Sequence, residues 1–101
     1  MRRKMAETDY RASRICRVLG NPTAYQIIKT LLGTKKKPTE IAQELGLSLP
    51  NVSSTLRTLR NVDLVRYDTV WKEKIYWIKQ KTLTEVCKTL ETMIIQLRHK
   101  M

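Results

Sequence analysis

Asn51, Ser54, Thr55 and Thr58 recur at the i, i+3, i+4, i+7 spacing that places side chains on one face of a helix. They are short hydrogen-bonding groups of the kind that read base edges: Asn pairs bidentately with adenine, and Ser or Thr contacts several bases. Leu49 and Pro50 stand at the entry of the same segment and can touch a thymine methyl group. Arg57 and Arg60 follow, and two roles are open to them: gripping phosphates, or holding a carboxylate such as Asp63 or Asp68. Lys35, Lys36 and Lys37 form a basic run ahead of this region, and Lys72 and Lys74 a second basic pair beyond it. Such groups contact a phosphate backbone or simply solvate a surface. For the Asn/Ser/Thr face the plain alternative is a polar helix side turned to water.

Other chemistries lack their residues. There is no Ser/His/Asp or Cys/His constellation, no paired carboxylate site and no Gly-rich phosphate loop. The single histidine, His99, sits near the end of the chain, where a cation suits a helix C-terminus better than catalysis. An enzyme is therefore not expected, nor a bound cofactor or metal.

The elements that would hold the polar face follow from periodicity. Ile41, Ala42 and Leu45 make one apolar stripe; Val52, Leu56 and Leu59 make the next. Gly46 between them can take the left-handed conformation that ends a helix, and Ser48 can cap the helix that follows, with Pro50 in its first turn. This is a helix-turn-helix, whose second helix, about Leu49 to Asn61, can enter a DNA major groove. Thr39 is expected to cap its first helix, about Glu40 to Leu45. Upstream, a helix is expected from about Asp9 to Leu19, with Ala12, Ile15, Val18 and Leu19 on one face, after a mobile basic arm over residues 1–8. Asn21 and Pro22 then open a helix to about Leu32, with Ala24, Ile27, Ile28 and Leu31 inward.

Beyond residue 63 the period changes. Leu64 to Val70 and Lys74 to Lys79 alternate like strands around the tip Trp71-Lys72-Glu73, which predicts a β-hairpin wing. Asn61-Val62-Asp63 turns the chain without glycine, using residues that tolerate left-handed geometry. Within the hairpin, Tyr67, Ile75 and Trp77 read as packing, while Trp71 is open to either packing or base stacking. Thr82 and Glu85 have capping-box spacing and open a last helix from about Leu83 to Lys100. Leu83, Val86, Leu90, Met93, Ile94 and Leu97 give that helix an apolar stripe suited to a partner helix. Cys16 and Cys87 are expected as small buried hydrophobes near it, with a redox switch as the sharper alternative.

Charge divides along the same line. The chain has 20 Lys+Arg against 9 Asp+Glu, for a net charge of +11. Residues 82–101 hold three basic and two acidic groups; residues 1–81 hold 17 and seven. The last helix is thus nearly neutral, and the rest is basic enough to attract a polyanion. With 101 residues, 42 % of them hydrophobic, one domain is expected. No apolar run reaches the roughly 18 residues of a membrane span and no signal-peptide core follows Met1-Arg2-Arg3, so a cytoplasmic location and no membrane partner are expected.

The order of these pieces resembles the ArsR-type winged helix-turn-helix regulators. The resemblance rests on Leu19-Gly20-Asn21-Pro22-Thr23 with Ile27-Ile28 and Leu31-Leu32, then Glu40 to Ser48, Val52-Ser53, Leu56, Leu59-Arg60, Leu64-Val65 and Ile75-Tyr76-Trp77. It implies a mainly α winged helix-turn-helix over 9–81, of order α-α-α-α-β-β-α, with 82–101 as a dimerisation helix of the same domain. It also implies operator DNA as target and a homodimer joined by the first and last helices. Metal-sensing members carry a Cys-x-Cys-like motif where this chain reads Lys37-Pro38-Thr39, so no soft-metal site is expected there.

The reading as a whole is a dimeric regulator of double-stranded DNA. Its phosphate and base contacts would come from Lys36, Lys37, Leu49, Pro50, Asn51, Ser54, Thr55, Arg57, Thr58, Arg60, Lys72 and Lys74. Its dimer contacts would come from Ile15, Val18, Leu19, Leu83, Val86, Leu90, Met93, Ile94 and Leu97. The competing reading is a winged-helix module that binds another protein within a larger assembly.

Overall fold

In the computed structural model, which describes residues 4–100, five helices surround a small sheet. Their order is α1 (Glu7–Leu19), α2 (Pro22–Leu31), β1 (Lys35–Lys36), α3 (Pro38–Leu45), α4 (Leu49–Asn61), β2 (Val65–Val70), β3 (Glu73–Ile78) and α5 (Leu83–Lys100). The expected arm shortens: α1 starts at Glu7, and residues 1–3 lie outside the described residues.

The helix starts show how the sequence sets the boundaries. Asn21 Oδ1 accepts from the Thr23 and Ala24 N–H groups at 2.9 and 3.2 Å, and Pro22 fills the first helical position. Ser48 Oγ accepts from the Asn51 N–H at 3.3 Å. Gly46 is left-handed at φ 67° and closes α3, the turn the helix-turn-helix requires. Two expected caps are corrected. Lys37, not Thr39, is the N-cap of α3, because Pro38 takes the first helical position and Glu40 reaches back to the Lys37 N–H at 2.8 Å. At α5 the Thr82 hydroxyl donates to Gln80 Oε1 instead of forming a capping box, and backbone bonds to Thr82 O close the first turn.

The core gathers Ala24, Ile27, Ile28 and Leu31 of α2, Ile41 and Ala42 of α3, and Val52, Leu56 and Leu59 of α4. Leu64, Val65, Tyr76 and Ile78 close it from the sheet side, and Leu83 and Cys87 from α5. Ile15 and Val18 pack against its edge. Leu19 and Leu83 are spent on this core, at 9 % and 3 % exposure, so neither has much area left for a partner subunit. Cys87 is buried as expected, but Cys16 is exposed.

The wing differs from the expected hairpin in two ways. It is three-stranded and antiparallel, in the order β1-β3-β2, because Lys35 and Lys36 pair with Trp77 and Tyr76. Its inward phase is also the other one: Tyr76 and Ile78 are buried, opposite Tyr67 and Val65, while Ile75 and Trp77 are half-buried on the reverse face. The tip is the two-residue turn Trp71-Lys72, at φ 51° and 66°, with Glu73 already paired to Val70. Asp63 supplies the left-handed residue, at φ 65°, that turns α4 into β2.

Candidate nucleic-acid interface

Burying Val52, Leu56 and Leu59 turns the opposite side of α4 outward. Leu49, Pro50, Asn51, Ser54, Arg57 and Thr58 are exposed there, and Thr55 and Arg60 half-buried. Thr55 Oγ1 donates to the Asn51 carbonyl at 2.8 Å and Thr58 Oγ1 to the Ser54 carbonyl at 3.3 Å. With their protons engaged inside the helix, both hydroxyls face outward as acceptors, suited to base amino groups.

Cations frame this face. Among the described residues, Arg57, Arg60, Lys72 and Lys74 have no carboxylate within ion-pair distance. Asp63 is held instead by Arg66 and Lys79, and Asp68 by Lys35. The Arg60 guanidinium lies 5.3 Å from the Tyr67 ring centre, and Lys74 Nζ lies 4.9 Å from the same ring. Tyr67 therefore bridges α4 to β3, and a cationic ridge runs from Arg57 and Arg60 across it to Lys74 and Lys72. Burial raises the pKa of the neighbouring Tyr76 hydroxyl, against an opposite pull from Arg60 and Arg57.

Sequence reasoning did not single out Arg14 and Arg17. Arg17 lines a groove with Asn21, Asn51, Ser54 and Thr58, and both arginines line its continuation beside Tyr10 and Asn61. Neither has a carboxylate partner among the described residues. Their signal was available: spaced i, i+3, they fall on the side of α1 away from Ile15 and Leu19.

The tri-lysine run behaves differently from its sequence appearance. Lys35 pairs with Asp68, Lys36 with Glu44 and Lys37 with Glu73. The bond to Lys36, followed by one to Thr30, holds the Glu44 carboxyl below the usual carboxylate range, and Glu73 raises the Lys37 ammonium. Lys36 and Lys37 thus reach an α3 carboxylate and a wing carboxylate, respectively, within the protomer.

A second surface is apolar. Beyond Cys87, α5 leaves the core and exposes Leu90, Met93, Ile94, Ile95 and Leu97 by 40–55 %, with Val86 at 38 %. Ile95 was not in the expected set. Leu90, Met93, Ile94 and Leu97 form one wall of a groove whose other wall is Leu19, Pro22, Tyr25 and Gln26. Glu91 ties the walls together: it accepts from Tyr25 Oη at 2.7 Å and from Lys29 Nζ at 2.7 and 2.9 Å. These two donors, Lys29 first, lower its pKa; burial and then Glu91 raise that of Tyr25. No three His, Cys, Asp or Glu side chains converge on a possible metal position among the described residues, and no described helix is long and apolar enough to cross a membrane.

The sequence profile of the bacterial regulatory proteins of the arsR family matches residues 21–67, from the α2 cap into β2. The arsR-family match thus spans α2, α3 and α4 and the start of β2. Solved structures agree in fold across nearly the whole chain. HlyU from Vibrio cholerae is 24 % identical, with 85 % of this chain and 97 % of that one covered at a TM-score of 0.77. The homodimeric winged helix-turn-helix DNA-binding domain of a possible ArsR-family regulator from Mycobacterium bovis is 19 % identical, with 98 % and 95 % covered at 0.81. The transcriptional repressor BigR from Xylella fastidiosa is 20 % identical, with 88 % and 96 % covered at 0.77. A search of curated proteins finds no match. The family match covers the helix-turn-helix α3–α4, and the proteins it is similar to are transcriptional regulators, not enzymes.

Proposed function

We propose that this ArsR-family chain is a homodimeric, sequence-specific transcriptional regulator of double-stranded DNA, acting in the cytoplasm. The α4 face of Asn51, Ser54, Thr55 and Thr58, entered by Leu49 and Pro50, reads the major groove, and the wing rests on the adjacent backbone or minor groove. Arg57, Arg60, Lys72 and Lys74 hold phosphates, joined by Arg17. Val86, Leu90, Met93, Ile94 and Leu97 of α5, with Ile15 and Val18 at the rim of α1, meet a second copy. The observation that carries the reading is the placement of Arg57, Arg60, Lys72 and Lys74, which bracket the polar face of α4 without carboxylate partners among the described residues, while the Lys35-Lys36-Lys37 run is matched by carboxylates. A two-fold dimer would set its recognition helices about 34–36 Å apart, one turn of the duplex.

Selection of bound duplexes from a random pool tests this. A palindromic motif is expected. Asn51→Ala should blur it at one position per half-site, and Lys74→Ala should weaken all duplexes alike. Recovery of no motif, with binding indifferent to salt, would overturn the proposal in favour of a protein-binding role.

A further inference from the structure

Trp71 is 93 % exposed, more than any other large apolar side chain among the described residues. It also stands where local preference opposes it. The Trp71-Lys72 turn needs positive φ at both residues, a conformation that favours Asn and Gly, and it holds neither. Folding alone gives no reason for an indole here: the ring covers no core, and the turn would form more readily without it. Its surroundings are specific. Val70 beside it is 44 % exposed, and Lys72 and Lys74 are exposed without carboxylate partners among the described residues. The one acid of the tip, Glu73, is turned away onto Lys37. Arg60 and Lys74 flank the Tyr67 ring on the wing, and Lys74 follows this indole by three residues, on the strand that leaves the turn.

We propose that Trp71 is a wedge that enters the DNA minor groove beside each half-site and packs against a base step. The inference rests on the duplex-DNA reading above. A track of cations delivers the tip to the phosphate backbone, and the groove behind that backbone offers the apolar and stacking surface the indole lacks. Apolar side chains inserted this way unstack a step and bend the duplex. The left-handed turn points the ring outward from the end of the wing, and Lys72 and Lys74 stay free for the phosphates on either side.

The test uses the full chain and the duplex recovered by selection. In Trp77→Phe, Trp71 is the only tryptophan; its emission should be quenched, and shielded from acrylamide, when duplex is added. Trp71→Asn, which suits the turn, should fold normally and yet bind about tenfold or more weakly. Its salt dependence should match wild type, because an indole releases no counterions. Trp71→Phe should restore most of the affinity, and end-labelled duplex should bend with wild type but not with Trp71→Asn. Wild-type affinity in Trp71→Asn, or unchanged emission in Trp77→Phe with duplex bound, overturns the wedge while leaving the DNA reading intact. Failure of the wild-type chain to bind any duplex overturns both.

Discussion

Which lysines and arginines DNA sees can be measured from the slope of log affinity against log salt. Each phosphate neutralised contributes about 0.9 to that slope. Arg57 is exposed on α4 with no carboxylate partner among the described residues, whereas Lys36 is matched by Glu44 and Lys37 by Glu73. In a dimer Arg57→Ala removes two contacts and should flatten the slope by about 1.8. Between 50 and 200 mM salt, wild type should then lose about twelvefold more affinity than the variant. The contrasting variants remove whole pairs, Lys36→Ala with Glu44→Ala and Lys37→Ala with Glu73→Ala. They keep the local net charge, so the slope should stay at the wild-type value. Arg17→Ala should behave as Arg57→Ala does. Fluorescence anisotropy of a labelled duplex across a salt series reads all of these, with circular dichroism to check that each variant is folded. A slope flattened by about 1.8 in the paired-lysine variants would refute the assignment of these lysines to intramolecular pairs.

Three further outcomes are expected. Replacing Trp71-Lys72 by Asn-Gly relieves two left-handed non-glycine residues; after glycine's own entropy cost the gain is about 1–2 kcal/mol. In thermal denaturation this should raise Tm by roughly 5–10 °C, and a Tm that falls contradicts the strain. The Glu91 carboxyl is depressed by Lys29 and Tyr25, so its contribution to α2–α5 packing is complete above the ordinary carboxylate range and fades as pH falls below it. Urea midpoints across acid pH should show that loss in wild type and a flatter profile in Glu91→Gln. Ile94→Glu places a charge on the exposed α5 face, so sedimentation should show the monomer where wild type is a dimer; an unchanged dimer would move the interface elsewhere.

The helical half of this fold was legible because several constraints coincide. Gly46, Ser48 and the Val52-Leu56-Leu59 stripe each demand the same turn and the same buried face, and no other register satisfies them together. The wing was harder. Ile75, Tyr76, Trp77 and Ile78 are apolar in succession, so alternation cannot choose which pair points inward; the choice is made across the ladder by Val65 and Tyr67. Strand β1 carries no apolar signal at all, since two lysines pair with β3 from about 40 residues away in sequence. A similar distance hid the partners of Lys35 and Lys37, because a run of like charge is matched by acids that only folding brings near; Lys36 finds Glu44 eight residues on, one helix away. The outward polar face of α4 was visible in the spacing of Asn51, Ser54, Thr55 and Thr58. Arg17 came into view only when α1 was laid beside α4.

The long apolar reach of α5 has a consequence for dosage. Its outer turns leave Met93, Ile94, Ile95 and Leu97 in water, and in the proposed homodimer a second copy covers them, so that the paired form is favoured by mass action. Where protomers outnumber dimers, the population competent to grip a palindrome grows as the square of protein concentration. A twofold change in expression would then be felt at the operator as nearly fourfold, and the response would sharpen with no small molecule involved. The helix that gives least to the protomer's own core would in this way set how steeply a promoter answers to the amount of its regulator.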